Sequence, residues 1–203
     1  IGPTMCGHED VDMVSFTGST SAGVKISEAA APTIKRVCLE LGGKSPYIIT
    51  EDADLSAAVR YGVEDVMGNT GQTCTALTRM LVPKSRYEEA VALAKAVAEE
   101  NVIGDPFDEK TTMGPMSSIS QRASVIGYIN KGIEEGARLV TGGAQQPENV
   151  GDGAYVKPTI FADVTNDMII AQEEIFGPVL CMIAYEDIDQ AIEIANDSIF
   201  GLS

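Results

Sequence analysis

Cys74 is the residue of this sequence whose surroundings best suit covalent chemistry. It stands in the segment NTGQTCTA, where a glycine-containing turn lies between a predicted helix and a predicted strand. Such a turn can hold a side chain at the rim of a rigid scaffold, and a cysteine thiolate placed there could attack an electrophilic carbon. Taken alone, the pattern favours a half-buried structural cysteine over a nucleophile.

Glu40 is the second candidate, in the segment LELGGKSP. A carboxylate at the end of an apolar strand is costly to bury without a partner, so such a residue often marks a functional site. Gly42 and Gly43 would let another backbone or a ligand approach closely. An edge-strand glutamate that faces water fits the pattern equally well. We interpret Lys44 as a surface lysine rather than as an activator of a thiol.

Two further segments carry groups that suit a nucleotide. In FTGST, Gly18 and Ser19 lie between a strand and a helix, where free backbone N–H groups form a natural phosphate site. In EEIFGPV, the Glu174 carboxylate could accept from ribose hydroxyls, and Phe176 could stack on a flat ring. Each segment alone is also compatible with an ordinary strand–helix turn or a solvated turn beside a core phenylalanine.

The elements that must position these residues alternate between strands and helices. Period-2 and period-3.6 hydrophobic patterns predict an α/β fold with a mostly parallel sheet flanked by helices. Ser85 and Glu88 suggest a capping box at one helix start, and Gly136 suggests a helix end. Strands are expected at 11–16, 35–41, 47–50, 80–82, 138–141, 156–162 and 179–185, and helices at 21–31, 55–67, 85–101, 118–135 and 188–196.

Charge and cysteine usage exclude several classes of protein. The 203 residues carry a formal charge of −16, which does not suit binding to nucleic acid or to anionic membrane surfaces. No stretch approaches the roughly 18 apolar residues of a membrane span. The four cysteines are scattered without disulfide or zinc-site spacing, so we expect no metal and a reducing, cytoplasmic location. Cys6, Cys38 and Cys181 have no motif context and are interpreted as core residues.

The four segments together closely resemble the aldehyde dehydrogenase superfamily. They occur in the family's order, and Glu40 and Cys74 are 34 positions apart, as in the family pattern. The resemblance covers essentially the whole chain. It implies a catalytic domain of the aldehyde dehydrogenase type over residues 43–203. Residues 1–42 would be the last strand–helix–strand of a Rossmann-like cofactor domain.

The resemblance also implies a reaction. Cys74 would attack an aldehyde to form a thiohemiacetal, which would pass a hydride to NAD or NADP and become a thioester. Water activated by Glu40 would hydrolyse that thioester. The backbone N–H of Cys74 would help to stabilise the oxyanion. The lone histidine, His8, lies outside every motif, which argues against enzymes that pair their cysteine with a histidine.

The remaining roles follow from the same resemblance, residue by residue. The parent would also be a homo-oligomer, a dimer or a tetramer. The expected contacts are Gly18 and Ser19 with the cofactor phosphates, Leu41 and Gly42 with the nicotinamide end, Glu174 and Phe176 with the nicotinamide ribose and its surroundings, Gln121 with the adenosine ribose, and Thr73 and Thr75 with the substrate tunnel.

The chain also departs from the family pattern. Family members begin with a longer cofactor-binding portion that supplies an oxyanion-hole asparagine and a ribose-binding lysine, and they continue beyond Ser203. We therefore expect dehydrogenase activity to be impaired in this chain alone. Three functions remain open: NAD(P)-dependent aldehyde oxidation in a full-length parent, cofactor-independent hydrolysis of esters by the thiol, and an inactive fragment.

Overall fold

The computed structural model describes residues 1–148 and 150–202, so Asn149 and Ser203 of the predicted catalytic domain lie outside the described residues. Within the described part, helices pack against two β-sheets. The strands are β1 (Met13–Thr17), β2 (Arg36–Glu40), β3 (Pro46–Ile48), β4 (Arg79–Pro83), β5 (Arg138–Thr141), β6 (Thr159–Ala162) and β7 (Val179–Tyr185). The helices are α1 (Gly2–Gly7), α2 (Thr20–Ala30), α3 (Leu55–Met67), α4 (Tyr87–Glu99), α5 (Ile119–Glu134), α6 (Ile169–Gln172) and α7 (Ile188–Asn196).

The first sheet is a parallel pair, β1 and β2, joined by α2. The register places Thr17 beside Glu40, so both strands end at the same edge of the sheet. The backbone N–H of Gly18 donates to the Glu40 carbonyl at 3.0 Å and holds that edge together. Helix α2 begins at once, because the Ser19 side chain caps it by accepting from the Ala22 N–H. This edge therefore presents a helix N-terminus beside the loop that follows β2.

The second sheet has five strands in the order β3-β4-β7-β6-β5, parallel except for β5, which runs antiparallel to β6. Helices α3 and α4 cover one face, and α5 and α6 cover the other. Along β7, Leu180 and Met182 join the first core, whereas Cys181 and Ile183 join the second. Both faces of this strand are buried, as a central parallel strand requires. The predicted α/β architecture is confirmed.

Arg79 joins the central strand β4 to distant parts of the chain. The residue is 1% exposed, and its guanidinium donates four hydrogen bonds. Nε donates to the Lys44 carbonyl at 3.0 Å, and one terminal nitrogen donates to Asn166 Oδ1 at 3.0 Å and to the Ile194 carbonyl at 2.8 Å. The other terminal nitrogen donates to the Ala195 carbonyl at 2.9 Å. The last turn of α7 is thereby fixed to the loop that precedes β3.

Several predicted boundaries are confirmed, and one predicted cap is wrong. The elements at 55–67, 138–141, 179–185 and 188–196 begin and end where expected. Gly136, with φ of +92°, follows α5 as predicted. The capping box at Ser85 does not form. Its hydroxyl donates to Glu51 at 3.0 Å instead, and α4 starts after a 3-10 turn at Lys84–Arg86.

None of the helices in residues 1–148 and 150–202 is long and apolar enough to cross a membrane. In the same two ranges, no group of three or more His, Cys, Asp or Glu side chains could hold a metal ion.

Candidate active site

A cleft of about 580 Å³ opens where the two sheets meet. Five segments build it: the β1–α2 turn, the loop after β2, the loop before β4, one face of α5, and the loop between α6 and β7. It brings together nine of the residues singled out in the sequence, namely Gly18, Ser19, Leu41, Gly42, Thr73, Cys74, Gln121, Glu174 and Phe176. Glu40 and Thr75 do not line it.

The loop that carries Cys74 has an uncommon backbone. Asn69, Thr70 and Gly71 take left-handed φ values of 49°, 56° and 71° in succession. For a β-branched residue such as Thr70 this conformation costs free energy and is found where the surroundings enforce it. Thr70 is buried, and its hydroxyl donates to the Gly114 carbonyl at 3.1 Å. The turn therefore sets the direction in which Cys74 leaves it.

Gln72 fastens the same loop to the start of α5. Its side-chain amide donates to the Asn69 carbonyl at 3.1 Å, and Asn69 returns a bond to the Gln72 carbonyl at 2.9 Å. Gln72 Oε1 accepts from the Ser117 N–H at 2.8 Å. These bonds tie the half-buried Cys74 to a long helix, so the thiol sits on a supported loop.

Two glycines allow neighbouring loops to approach the cysteine loop. A Cβ added to Gly43 would lie 2.4 Å from the Cys74 carbonyl oxygen. A Cβ added to Gly71 would lie 2.0 Å from the Gly177 carbonyl oxygen. Both distances are well inside van der Waals contact. Gly43 in LELGGKSP thus serves close backbone approach, as the sequence indicated.

Glu174 lines the cleft from the loop between α6 and β7. Its Oε1 accepts from the Gly43 N–H at 3.2 Å. A Cβ added to Gly42 would lie only 2.2 Å from its Oε2, so the carboxylate fits there because residue 42 is a glycine. The pKa of Glu174 is raised above its usual value, mainly by burial, while the Gly43 N–H and the positive charge of Lys44 act against this rise. The carboxylate is therefore held between a glycine backbone and the cleft, where it can accept from a hydroxyl.

Gln121 faces the cleft from α5 but uses its amide to support the opposite loop. Nε2 donates to the Phe176 carbonyl at 3.0 Å and to the Ile175 carbonyl at 3.3 Å. Phe176 has a left-handed φ of 53° and a side chain that remains partly exposed. Gln121 therefore places Phe176, a contact that the sequence did not suggest.

Ser124 and Tyr128 also line the cleft and were missed in the sequence. They follow Gln121 at three and seven positions along α5, a spacing that puts all three on one helix face. That spacing was a readable signal once Gln121 had been chosen. The Tyr128 hydroxyl donates to Glu173 Oε2 at 2.7 Å, and burial, followed by Glu173, raises the pKa of Tyr128 to about 12.

Glu40 does not have the buried carboxylate that one interpretation of the sequence required. Exposure alternates along β2, and Glu40 falls on the exposed side of the strand. It lines a second cleft of about 300 Å³, which shares Leu41 and Gly42 with the first. Thr75 is exposed and lies outside both clefts. The structure therefore places Glu40 beside the Cys74 cleft, across its wall.

Two other interpretations are corrected. Lys44 is 2% exposed, not a surface residue, because the loop that carries it is bonded to Arg79 of β4 and, through Gly43, to Glu174. Cys38 is exposed, not in the core, because it lies on the thinly covered two-stranded sheet. Cys6 and Cys181 are buried, as predicted.

Comparisons with known proteins agree with this geometry. The model of the aldehyde dehydrogenase family matches residues 1–203. A 3-succinoylsemialdehyde-pyridine dehydrogenase from a Pseudomonas species is 52% identical over all 203 residues, and a putative aldehyde dehydrogenase from Staphylococcus haemolyticus is 48% identical. In both cases the alignment covers 100% of this chain and 43% of the relative. The chain thus spans less than half the length of these curated relatives.

Solved structures give the same result. An aldehyde dehydrogenase C mutant from Pseudomonas syringae, in complex with NAD⁺ and octanal, superposes with a TM-score of 0.97 at 50% identity, over 98% of this chain and 41% of that one. A Mycobacterium tuberculosis aldehyde dehydrogenase with NAD⁺ gives 0.94 at 49% identity, over 97% of this chain and 40% of that one. The chain therefore belongs to the aldehyde dehydrogenase family.

Proposed function

We propose that this chain carries the cysteine-bearing part of an active site that oxidises an aldehyde to a carboxylic acid with NAD or NADP. The observation that carries the proposal is the shared cleft, which Cys74 lines together with Ser19, the cap of α2, and with Glu174. The NAD⁺ and octanal complexes of similar structures support the choice of cofactor and of substrate class. Residues 1–42 and 43–203 are proposed as the cofactor-domain and catalytic-domain portions.

The residues of the cleft fit a dinucleotide. Helix α2 has 11 residues, and its first-turn N–H groups, which follow the Ser19 cap, suit a pyrophosphate. Glu174 can accept from ribose hydroxyls, and Phe176 can pack beside a planar ring. When bound, the cofactor supplies the hydride acceptor. Gln121 is assigned a supporting role, through Phe176, in place of the direct adenosine-ribose contact expected from the resemblance.

In the proposed reaction, Cys74 Sγ forms a bond to the aldehyde carbon, and the carbonyl electrons move to its oxygen, where the Cys74 N–H can donate. Loss of hydride from that carbon leaves a thioester on Sγ. Water then releases the acid and restores the thiol, with Glu40 as the base after its side chain turns from the adjoining cleft. Thr73 and Thr75 are assigned to the substrate approach.

The proposal is tested by cofactor protection of Cys74 against iodoacetamide. NAD⁺ is expected to slow alkylation of Cys74, because it would cover the cleft that the thiol lines. Cys38 is the internal control, because it is exposed and lies outside that cleft. Peptide mass mapping measures both rates in one sample, and Glu174→Ala should weaken the protection. Equal rates with and without NAD⁺ at Cys74, or equal protection of Cys38, would contradict the proposed site.

A further inference from the structure

Gln72 stands two residues before Cys74 and uses both ends of its side-chain amide within the protein. Its Nε2 donates to the Asn69 carbonyl at 3.1 Å, and its Oε1 accepts from the Ser117 N–H at 2.8 Å. A backbone carbonyl can only accept and a backbone N–H can only donate, so these two partners fix which way the amide is turned. The residue lines the cleft, yet its amide is bonded to the protein at both ends.

The turn that Gln72 closes needs a restraint. Asn69, Thr70 and Gly71 all have left-handed φ values, a conformation that persists in residues with a side chain only where the surroundings hold it. The Asn69 carbonyl accepts from the Gln72 backbone N–H as well as from its Nε2, each at 3.1 Å. Asn69 Nδ2 donates back to the Gln72 carbonyl at 2.9 Å. Gln72 therefore holds the end of the strained turn.

The segment that Gln72 binds is itself fixed. Met116 is 4% exposed, and its N–H donates to the Ala154 carbonyl at 2.9 Å. Ser118 caps α5, because its hydroxyl accepts at 3.0 Å from the N–H three residues later. Ser117 lies between these two anchors. The bond from Gln72 to Ser117 thus ties the turn to the core and to a 16-residue helix.

Cys74 lies between Gln72 and a second anchor. That anchor is Leu77, whose N–H donates to the Asp65 carboxylate of α3 at 2.9 Å. Four residues separate Gln72 from Leu77, and Cys74 is the second of them. Over so short a span, displacement of either end displaces the thiol.

We propose that Gln72 is a positioning residue for the Cys74 thiol, because its amide fastens the left-handed turn before Cys74 to the fixed start of α5. Gln72 acts through the loop and takes no part in bond making. The consequence for catalysis rests on the proposed function, whereas the fastening of the loop does not. A side chain that merely filled space at this point would need neither polar end of the amide.

Electron paramagnetic resonance of a nitroxide attached to Cys74 tests the fastening in the 203-residue chain without substrate or cofactor. A Cys38→Ser background directs the label to Cys74, because Cys6 and Cys181 are buried. The line shape reports how fast the label moves on the nanosecond scale, and so how firmly the loop beneath it is held.

Gln72→Met keeps the length of the side chain but loses both hydrogen bonds, so the label should move several-fold faster than in the parent chain. Gln72→Glu keeps an acceptor for the Ser117 N–H but lacks the donor to Asn69, so its label should also be more mobile than in the parent. Gln145→Met is the matched control, because Gln145 is exposed in the loop after β5 and lies outside the cleft. It should leave the line shape unchanged.

Equal label mobility in the parent and in folded Gln72→Met overturns the proposal. A label on Gln72→Glu as immobile as that on the parent also overturns it, because the amide would then not be needed at both ends. If circular dichroism shows that Gln72→Met does not fold, Gln72→Glu decides alone by the same criterion.

Pre-steady-state hydrolysis of p-nitrophenyl acetate tests the consequence for the thiol. In this reaction Cys74 Sγ takes the acetyl group, p-nitrophenolate leaves, and water releases acetate from the thioester. Gln72→Met should lower the maximal acylation rate by about 10-fold, because a misplaced thiol attacks less well. The ester concentration that gives half of that rate should change little, because the cleft stays open to the ester.

An unchanged acylation rate in Gln72→Met, or a change confined to the half-saturating ester concentration, would refute positioning. If Cys74→Ser releases p-nitrophenolate as fast as the parent, the proposed nucleophilic role of Cys74 fails. The label mobility still decides in that case whether Gln72 fastens the loop.

Discussion

Gly71 lies where the cysteine loop meets the loop before β7, and Gly71→Ala tests how closely those loops must pack. Its φ of +71° is strained for any residue with a side chain. The added Cβ would also lie 2.0 Å from the Gly177 carbonyl oxygen and 2.6 Å from the Pro178 nitrogen. The substitution therefore combines a conformational penalty with a backbone overlap that no rotamer change can relieve.

The two penalties can be estimated separately. A left-handed alanine costs about 1–2 kcal/mol. A carbon at 2.0 Å must move by roughly 1 Å or more to reach contact distance, and overpacking of this kind costs about 1–3 kcal/mol. Gly71→Ala should thus lower the free energy of unfolding by about 2–5 kcal/mol. With a urea m-value of about 2–3 kcal/mol/M, the midpoint should fall by roughly 1–2 M.

Gly136→Ala is the matched control for strain alone. Gly136 has a φ of +92° after α5, and a Cβ built there meets nothing within 4 Å. Urea unfolding followed by circular dichroism measures both variants, and their difference isolates the loop overlap. If Gly71→Ala is no less stable than Gly136→Ala, the close contact between the two loops does not exist as described and the reasoning is refuted.

Two further predictions concern the thiol and the pH dependence of stability. Gly43→Ala places a Cβ 2.4 Å from the Cys74 carbonyl oxygen and should displace the cysteine loop, so Cys74-dependent hydrolysis of p-nitrophenyl acetate should fall by about 10²-fold. Gly127→Ala is the control, because a Cβ there meets nothing within 4 Å and should leave the rate unchanged. Similar rates in both variants would contradict the idea that Gly43 sets the position of Cys74. Burial raises the pKa of Tyr87 to about 12, above its ordinary value of 10.0. The associated stability should be intact below pH 10 and lost by roughly 2–3 kcal/mol as pH rises towards 12. Urea unfolding at pH 9 to 12 should show a smaller loss in Tyr87→Phe, and an identical slope in the two proteins would exclude this assignment.

Much of the fold was predictable because local patterns agreed with the tertiary environment. The strand at 179–185 is a continuous apolar run, and it is buried on both faces between two helical layers. The helix at 55–67 begins where the Asp54 side chain accepts from the Ala57 N–H. The gathering of nine candidate residues in one cleft was predicted through the family resemblance. Spacing alone left each of them with an ordinary structural alternative.

The errors came from contacts between distant segments. Ser85 has a capping-box neighbour, but its hydroxyl bonds Glu51 across 34 positions. Lys44 looks like a surface lysine in a polar turn, but its loop bonds distant segments, β4 and the loop that carries Glu174, and the residue is buried. The left-handed conformation at Thr70 opposes the preference of a β-branched residue and is stabilised by Gly114, 44 positions away. Local propensity carries no information about such partners.

The four bonds of Arg79 have a consequence for synthesis of the chain. Its acceptors at Ile194 and Ala195 lie 115 and 116 positions later, so β4 leaves the ribosome well before they exist. At roughly 5–20 residues per second, this interval lasts about 6–23 s. During that time a guanidinium at the centre of the future sheet lacks at least half of its hydrogen bonds and favours water over the interior. Closure of the five-stranded sheet around β4 is therefore deferred until α7 has emerged, and a ribosome stalled before Ile194 should present a chain open to proteases and chaperones.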